Sequence, residues 1–198
     1  MILSLLRRRP ADPTITALYG AIVAQARAPG FYLDYGVPDT LEGRFDMIVL
    51  HVFLVTRRLK GEPDLAAVGQ ALFDRFCRDL DDNLREMGVS DLAVPRKMRD
   101  FAGAYYGRAQ VYDRALADGG DALATALSRN VFAAGGLAPG SRRLADYMTV
   151  AAHMLDATTA AEFAAGDLHF PAPEAIAAVS TRLNQPTSSD GSTFIRQG

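Results

Sequence analysis

The sequence predicts an all-α protein: a single-domain bundle of about six or seven helices around a central apolar helix at about residues 41–60. Apolar residues recur at three- and four-residue intervals in segment after segment, which is the period of an α-helix. Glycine and proline clusters separate these segments, and no run supports a strand. We expect an N-terminal segment over residues 1–13, the helical domain over 14–183, and a flexible polar tail over 184–198.

The first predicted helix covers residues 14–27, with Thr14 as a candidate N-cap. Its apolar face consists of Ile15, Leu18, Tyr19, Ile22 and Ala26. Residues 30–43 are rich in glycine and proline and predict a loop. Asp39 or Thr40 is the candidate cap of the next helix.

The helix predicted at about residues 41–60 is apolar on nearly every side, which is typical of the buried centre of a bundle. The apolar stripes of the other helices need a common partner, and this helix supplies it. At 100° per residue, Arg44, His51 and Arg58 fall on one narrow strip of it.

The rest of the chain predicts further amphipathic helices with glycine or proline between them. They cover residues 65–87, about 95–117, about 121–134 and 142 to about 165, followed by a short helix near 174–183. Asp64, Asp121 and Ser141 are their candidate N-caps.

The composition excludes several classes of function. The chain has 21 basic and 23 acidic residues, a net charge of −2, so we expect no nucleic-acid partner. With three histidines and one cysteine, neither a multi-cysteine zinc site nor a histidine-rich metal centre is predicted. We expect no organic cofactor, because no phosphate-binding glycine loop is present. Cys77 is interpreted as a buried structural cysteine rather than a nucleophile, because nothing nearby in sequence marks a base.

The N-terminal end has an unusual order of residues. Met1–Leu6 is apolar apart from Ser4, and Arg7–Arg9 follows. A secretory signal carries its charges before the apolar stretch, so this segment is not one. It is either a frayed end or a short apolar tip that touches an anionic membrane surface. No run is long enough for a transmembrane helix.

The search for catalytic motifs is negative, so the sequence predicts a protein that is not an enzyme. His51 has two interpretations. It is a hydrogen-bonded core histidine, or it faces a partner or acts in acid–base chemistry. Asp79, Asp82 and Glu86 share a helical face that is a solvated surface, an acidic docking strip or, least favoured, a metal site.

The segment 96–114 is the most informative. Gly103 and Gly107 lie opposite the core stripe of their helix, although each helix-interior glycine costs about 1 kcal/mol relative to alanine. The same side carries Arg96, Arg99, Gln110 and Arg114. Small residues at this spacing let a second helix approach closely. That second helix is either a neighbour in the same domain or a partner segment flanked by these arginines.

Three stretches, taken together, carry a family resemblance. They are Leu41-Glu42-Gly43-Arg44-Phe45-Asp46-Met47 through Leu50-His51; Phe73–Gly88; and Val94-Pro95-Arg96-Lys97-Met98 with Tyr105-Tyr106-Gly107-Arg108. Over roughly residues 35–180 the chain resembles the ubiquinol–cytochrome c chaperone family.

The resemblance implies a helical, non-catalytic assembly factor of the cytochrome bc1 complex that acts on cytochrome b. Mitochondrial members carry a targeting extension that is not seen in this sequence. The resemblance therefore implies a bacterial-type member in the cytoplasm, peripheral to the cytoplasmic face of the inner membrane. Mitochondrial members work on the matrix side with a second assembly factor and the translation apparatus.

Twelve residues are the resulting candidates for partner binding. They are Arg44, His51, Asp79, Asp82, Glu86, Arg96, Arg99, Gly103, Tyr106, Gly107, Arg108 and Arg114. One alternative is a helical binding protein for a small apolar ligand (lipid, quinone or haem) with His51 and tyrosines lining the pocket. The other is an enzyme whose cleft unites His51 with carboxylates.

Overall fold

A computed structural model describes residues 13–176 of the chain. Over these residues the fold is all-α, as predicted, with eight α-helices, one 3₁₀ turn and no strand. The helices are α1 (Pro13–Ala26), α2 (Gly30–Leu33), α3 (Leu41–Lys60), α4 (Ala66–Glu86), α5 (Val94–Asp118), α6 (Asp121–Asn130), α7 (Ser141–Ala157) and α8 (Ala160–Ala165). The 3₁₀ turn, Pro63–Leu65, joins α3 to α4. The helix predicted near 174–183 lies mostly outside the described residues, as do the predicted terminal segments.

The central helix is where the sequence predicts it. Every residue from Val49 to Val55 is buried, and α3 packs against α1, α4, α5 and α7. Because a helix buried on all sides needs apolar partners in every direction, these four helices each turn one apolar stripe toward α3. On α1 the buried residues are the five predicted from periodicity.

Local contacts fix where α3 begins. The Thr40 hydroxyl accepts a hydrogen bond from the Gly43 backbone N–H at 3.1 Å, which is an N-cap contact. A Cβ atom at Gly43 would lie only 2.0 Å from the carbonyl oxygen of Pro38. Glycine is therefore required here, since the loop before α3 crosses directly over the helix backbone.

Aromatic rings join α3, α4 and α5. Phe76 lies at the centre of this cluster, with its ring centroid 6.3 Å from that of Phe45, 5.3 Å from Phe101 and 6.3 Å from Tyr105. Tyr19 of α1 reaches the same ring at 6.4 Å. Four helices thus meet at one side chain of α4.

The region predicted as a loop over residues 30–43 contains the short helix α2. The carbonyl oxygen of Pro29 accepts hydrogen bonds from the N–H groups of Tyr32 and Leu33, both at 3.0 Å. Phe31 and Tyr35 are buried. Burying these two rings folds the chain into a helical turn, which glycine and proline content alone does not predict.

The single helix predicted over 142–165 is two helices. Arg58 of α3 donates hydrogen bonds to the carbonyl oxygens of Leu155 and Thr158 at 3.0 and 2.8 Å. The end of α7 is thus bonded to a side chain of another helix, and the helix does not continue. Thr159 then forms a capping box with Glu162 and starts α8.

Helix α6 is shorter than predicted, and four predicted caps are wrong. The α6 helix ends at Asn130 rather than 134. Gly120 and Gly140 occupy the N-cap positions of α6 and α7. The Asp121 carboxylate instead binds Arg142, and the Ser141 hydroxyl donates to a preceding carbonyl.

At the start of α4, Asp64 lies inside the 3₁₀ turn, and Leu65 precedes the helix. Thr14, the fourth, lies inside α1, and its hydroxyl donates to the Ala164 carbonyl oxygen at 3.0 Å. None of the four side chains caps the first turn of its helix.

None of the helices described over residues 13–176 is both long and apolar enough to cross a lipid bilayer.

Replacing Phe53 by alanine is expected to lower the free energy of unfolding by about 3–5 kcal/mol. Phe53 is 4% exposed and packs against Tyr112, with the ring centroids 5.7 Å apart. Urea denaturation measures the change. Leu92→Ala is the control, because Leu92 is 95% exposed and its loss should change stability by less than about 0.5 kcal/mol. A loss below 1 kcal/mol for Phe53→Ala would place Phe53 outside the energetic core.

Candidate partner-binding surface

One side of α5 is open to solvent along most of its length. A Cβ atom built at Gly103 or Gly107 meets no atom within 4 Å beyond the adjacent backbone of α5 itself. We call the exposed residues Arg96, Arg99, Gly103, Gly107, Gln110 and Arg114 the α5 surface. No helix within residues 13–176 fills it, so the first of the two sequence interpretations, a neighbour in the same domain, is wrong for the described residues.

Contacts to α3 hold α5 in place on its other side. The hydroxyl groups of Tyr105 and Thr56 lie 2.9 Å apart, and Arg57 donates to the Asp113 carboxylate at 3.1 Å. Arg108 pairs with Asp46. These three contacts bind α5 to α3 at several positions along the helix. They therefore fix the direction in which the α5 surface faces.

The predicted binding residue Arg108 is one of these internal anchors. Its partner Asp46 is only 14% exposed, and burial raises the pKa of that carboxyl while the Arg108 guanidinium opposes the rise. Removing Arg108 would leave a largely buried carboxyl without its cation. The structure thus gives Arg108 a role in positioning α5 beside its predicted role in binding.

Next to the α5 surface lies a groove between the end of α3, the start of α4 and α5, with a volume of about 980 Å³. Aromatic side chains supply most of its apolar lining: Phe53, Phe73, Tyr105 and Tyr106. Charged side chains at its edge are Arg57, Arg58, Lys60, Glu62, Asp113 and Asp156. Gln110 belongs to both the groove and the α5 surface, and Tyr106, which is 56% exposed, lies between the two.

The groove was missed by the sequence analysis. Its walls come from helices separated by up to about a hundred residues, so helical periodicity within one segment does not bring them together. Tyr106 gave the only signal. It is a large aromatic residue that lies off the core stripe of α5, so packing within its own domain does not explain it.

Ion pairs order the charged edge of the groove. Arg57 lies between Asp113 of α5 and Asp156 of α7, at 3.1 and 3.4 Å. Arg58 pairs with Glu62 at 2.6 Å. Because most of these side chains are partly exposed, each pair contributes at most about 1 kcal/mol. Their main effect is to hold the polar edge in one arrangement.

His51 lies in the core with no exposed surface. Its Nδ1–H donates to the Met47 carbonyl oxygen at 2.7 Å, and its Nε2 accepts from the Tyr147 hydroxyl at 2.8 Å. Gln25 donates to that same hydroxyl at 3.0 Å and to the Pro171 carbonyl oxygen at 2.9 Å. His51 is therefore a hydrogen-bonded core histidine, and its assignment to a surface for partners is corrected. Its partners include no carboxylate.

The predicted strip of Arg44, His51 and Arg58 is not a continuous surface. Arg44 is exposed and pairs with Asp39 at 2.6 Å, whereas Arg58 is 10% exposed and binds inside the fold. The prediction of a continuous strip is wrong because α3 is exposed to solvent only near its ends. A helical wheel does not show this, since it ignores position along the helix axis.

The acidic face of α4 is divided in a similar way. The Tyr19 hydroxyl donates to Asp79 at 2.8 Å, and Arg75 pairs with the same carboxylate at 3.5 Å. Asp82 and Glu86 are exposed. Asp79 therefore joins α1 to α4, and the outward-facing part of the strip is Asp82 with Glu86. Within residues 13–176, no three histidine, cysteine, aspartate or glutamate side chains are grouped as metal ligands.

Comparisons with known proteins agree with the fold. A family profile described as ubiquinol-cytochrome C chaperone matches residues 33–170. A crystal structure described as the Cbp3 homolog from Brucella abortus is similar, with a TM-score of 0.76 and 38% sequence identity. The match covers 88% of this chain and 98% of that chain. No curated protein matches the sequence.

Stability is expected to fall as the pH drops from 7 to 5. Burial lowers the pKa of His51 from 6.5 to about 4. His51 is thus protonated near pH 6.5 in the unfolded chain but only near pH 4 in the folded chain. The stabilisation is complete above pH 6.5 and is lost as the pH falls, by about 2 kcal/mol at pH 5.

Urea denaturation at pH 7, 6 and 5 measures this loss. In His51→Gln the side chain does not titrate, so its free energy of unfolding should depend less steeply on pH by about one proton. Equal slopes for the two proteins would contradict the assignment.

Proposed function

Because the chain belongs to the ubiquinol–cytochrome c chaperone family, we propose that it is a non-enzymatic assembly factor of the cytochrome bc1 complex. In this proposal the client is newly made cytochrome b, and the α5 surface is the place of contact. The single observation that supports this contact is the open pair of glycines, Gly103 and Gly107, in the middle of a 25-residue helix.

The glycines suit a helical client. Alanine at both positions would favour the helix by about 1 kcal/mol each, so the glycines lower its intrinsic stability. Without side chains at positions 103 and 107, a second helix backbone can approach α5 closely, as small residues allow between membrane helices. The contact gains van der Waals packing along the helix without requiring a specific client sequence.

The charges around the glycines suit reversible capture. Arg96, Arg99 and Arg114 are exposed at the two ends of the α5 surface. Charged groups at the edge of an interface raise the association rate and fix orientation more than they raise affinity. A chaperone must release its client, so this balance is the appropriate one.

The place of action follows from the client. Cytochrome b is a membrane protein, so a factor that captures it during synthesis works at a membrane surface. We infer a peripheral position at the cytoplasmic face of the inner membrane. The exposed charged side chains Arg44, Asp82 and Glu86 lie on other elements and are candidates for contact with a second assembly factor.

Deleting the gene is expected to reduce the amount of assembled bc1 complex while cytochrome b transcription stays normal. Native gel electrophoresis and ubiquinol–cytochrome c reductase activity measure assembly. A plasmid copy of the gene should restore assembly. Normal bc1 activity in the deletion strain would overturn the proposed function.

The double variant Gly103→Ala with Gly107→Ala is expected to be as stable as the wild type or more so, by up to about 1 kcal/mol per site, yet to capture less cytochrome b. The added methyl groups meet no atom of the described fold but would hold a client helix away. Thermal melts and co-purification of cytochrome b measure the two effects.

Gly20→Ala is the matched control, because a Cβ atom at Gly20 of α1 also meets nothing within 4 Å. It should add stability without changing capture. A destabilised double variant would mean that the glycines pack inside the protein. A stable double variant with undiminished capture would move the client to another surface.

Arg99→Glu with Arg114→Glu should weaken capture, and the loss should be smaller at high salt because exposed charges are then screened. Arg78→Glu with Arg129→Glu changes the net charge equally at exposed positions outside the α5 surface. Co-purification at low and high salt compares the two variants. An equal loss in both would indicate an effect of net charge alone.

A further inference from the structure

The connection between α4 and α5 leaves two large apolar side chains in water. Leu92 is 95% exposed, the highest value for a large apolar side chain in residues 13–176, and Met87 is 57% exposed. Apolar side chains that are grouped at a surface, unlike single ones, mark contact sites for proteins or membranes. We call residues 87–95 the α4–α5 tip.

The tip lies at the end of the bundle where α3 begins. Leu59, near the end of α3, is 3.3 Å from a Cβ atom built at Gly69, near the start of α4. Phe45, near the start of α3, instead packs on Phe76, further along α4. Helices α3 and α4 are thus antiparallel, so α4 ends beside the start of α3. The turn over residues 61–65 is at the opposite end and exposes no large apolar side chain.

Hydrogen bonds hold the tip in one shape. Gly88 has a φ of +81°, and the N–H of the next residue donates to the Leu84 carbonyl oxygen at 3.0 Å, which is the Schellman ending of α4. The Ser90 carbonyl oxygen accepts from the N–H of Val94 at 3.1 Å, and Val94 is buried. The exposed Leu92 side chain therefore belongs to an ordered turn that is anchored at both sides.

The start of α5, directly after the tip, is positively charged. Arg96, Lys97 and Arg99 are exposed there, and the first turn holds no acidic residue. Of these three cations, only Arg96 has a carboxylate within 4 Å in the part of the chain that the structure describes, at 3.9 Å. The helix dipole opposes cations at a helix N-terminus, so they lower the stability of α5. An anionic partner would compensate for this cost.

The negative charge near the tip is either paired or on the other helix. Asp91 of the tip pairs with Arg85. The exposed carboxylates of Asp82 and Glu86 belong to α4. Residues 85–99 as a whole carry four cations and two carboxylates. An anionic surface is therefore expected to meet the tip from the side of α5.

We propose that the α4–α5 tip inserts Leu92 and Met87 into the surface of an anionic lipid bilayer, while the cations at the start of α5 meet the headgroups. Apolar side chains beside lysine and arginine are typical of segments that bind such a surface. The proposal rests on the proposed position of the protein at a membrane and names the part of the chain that contacts lipid. Gly103 and Gly107 lie about 10 and 16 Å beyond Arg96 along α5, so a client helix that leaves the bilayer could reach them.

A single indole can report on the tip, because the chain has no tryptophan. In Leu92→Trp, phosphatidylglycerol vesicles should shift the emission to shorter wavelength, and brominated lipid should quench it. Met154→Trp is the matched control, since Met154 is also exposed and lies two residues before Asp156, which pairs with Arg57 near the end of α3. Its emission should not change. Circular dichroism confirms that each variant is folded.

Co-sedimentation with the same vesicles tests both parts of the tip. Leu92→Asp should weaken binding at least about tenfold, because an inserted leucine is replaced by a charge. Lys97→Glu should also weaken binding to phosphatidylglycerol vesicles, and the loss should shrink at high salt. Arg129→Glu makes the same change of charge at an exposed position on α6 and should weaken binding less.

Emission of Leu92→Trp that stays water-like with phosphatidylglycerol vesicles would overturn the proposal. Equal losses for Lys97→Glu and Arg129→Glu would do the same, since they would indicate net charge alone. All these measurements use the isolated full chain without cytochrome b. A failure of vesicle binding would therefore contradict the lipid contact, whereas normal bc1 assembly in the deletion strain would contradict the proposed function.

Discussion

The complete burial of α3 is the constraint on which the rest of the structure depends. Seven consecutive residues, Val49 to Val55, have no side that water reaches, so apolar surface must come from every direction. Helices α1, α4 and α7 supply most of it. Once their apolar stripes are committed to α3, their remaining faces are set as well. The outward direction of Gly103 and Gly107 follows, because Tyr105 and Tyr112 on the opposite side of α5 are needed in the core.

Periodicity predicted the parts of the fold that depend on a single helix. The five buried residues of α1 and the limits of α3 agree with the sequence analysis, because a 3.6-residue repeat contains that information. Features that depend on contacts between distant segments were not predictable. The break between α7 and α8 needs Arg58, about a hundred residues earlier, to bind the carbonyl oxygens of Leu155 and Thr158.

The candidate surface shows the same division. The wheel of α5 indicated that Gly103 and Gly107 face away from the core, and only the structure could tell that no neighbour within residues 13–176 covers them. His51 was ambiguous for a related reason. A histidine in an apolar helix is tolerated when both ring nitrogens have partners, and one of those partners, Tyr147, is 96 positions away. Asp79 likewise became internal through Tyr19, which lies on another helix.

The hydrogen-bonded chain from Met47 through His51 and Tyr147 to Gln25 has a consequence for how uniquely the bundle aligns. The buried faces of α3 and α7 are largely apolar, and burial of apolar area is non-directional, so it does not by itself prevent α7 from slipping along α3 by one turn. Such a slip would separate the His51 ring from the Tyr147 hydroxyl, and each buried polar group left without a partner costs about 1–3 kcal/mol. Gln25 would lose the same hydroxyl. Three polar side chains on three helices thus favour the one register in which all of their hydrogen bonds form.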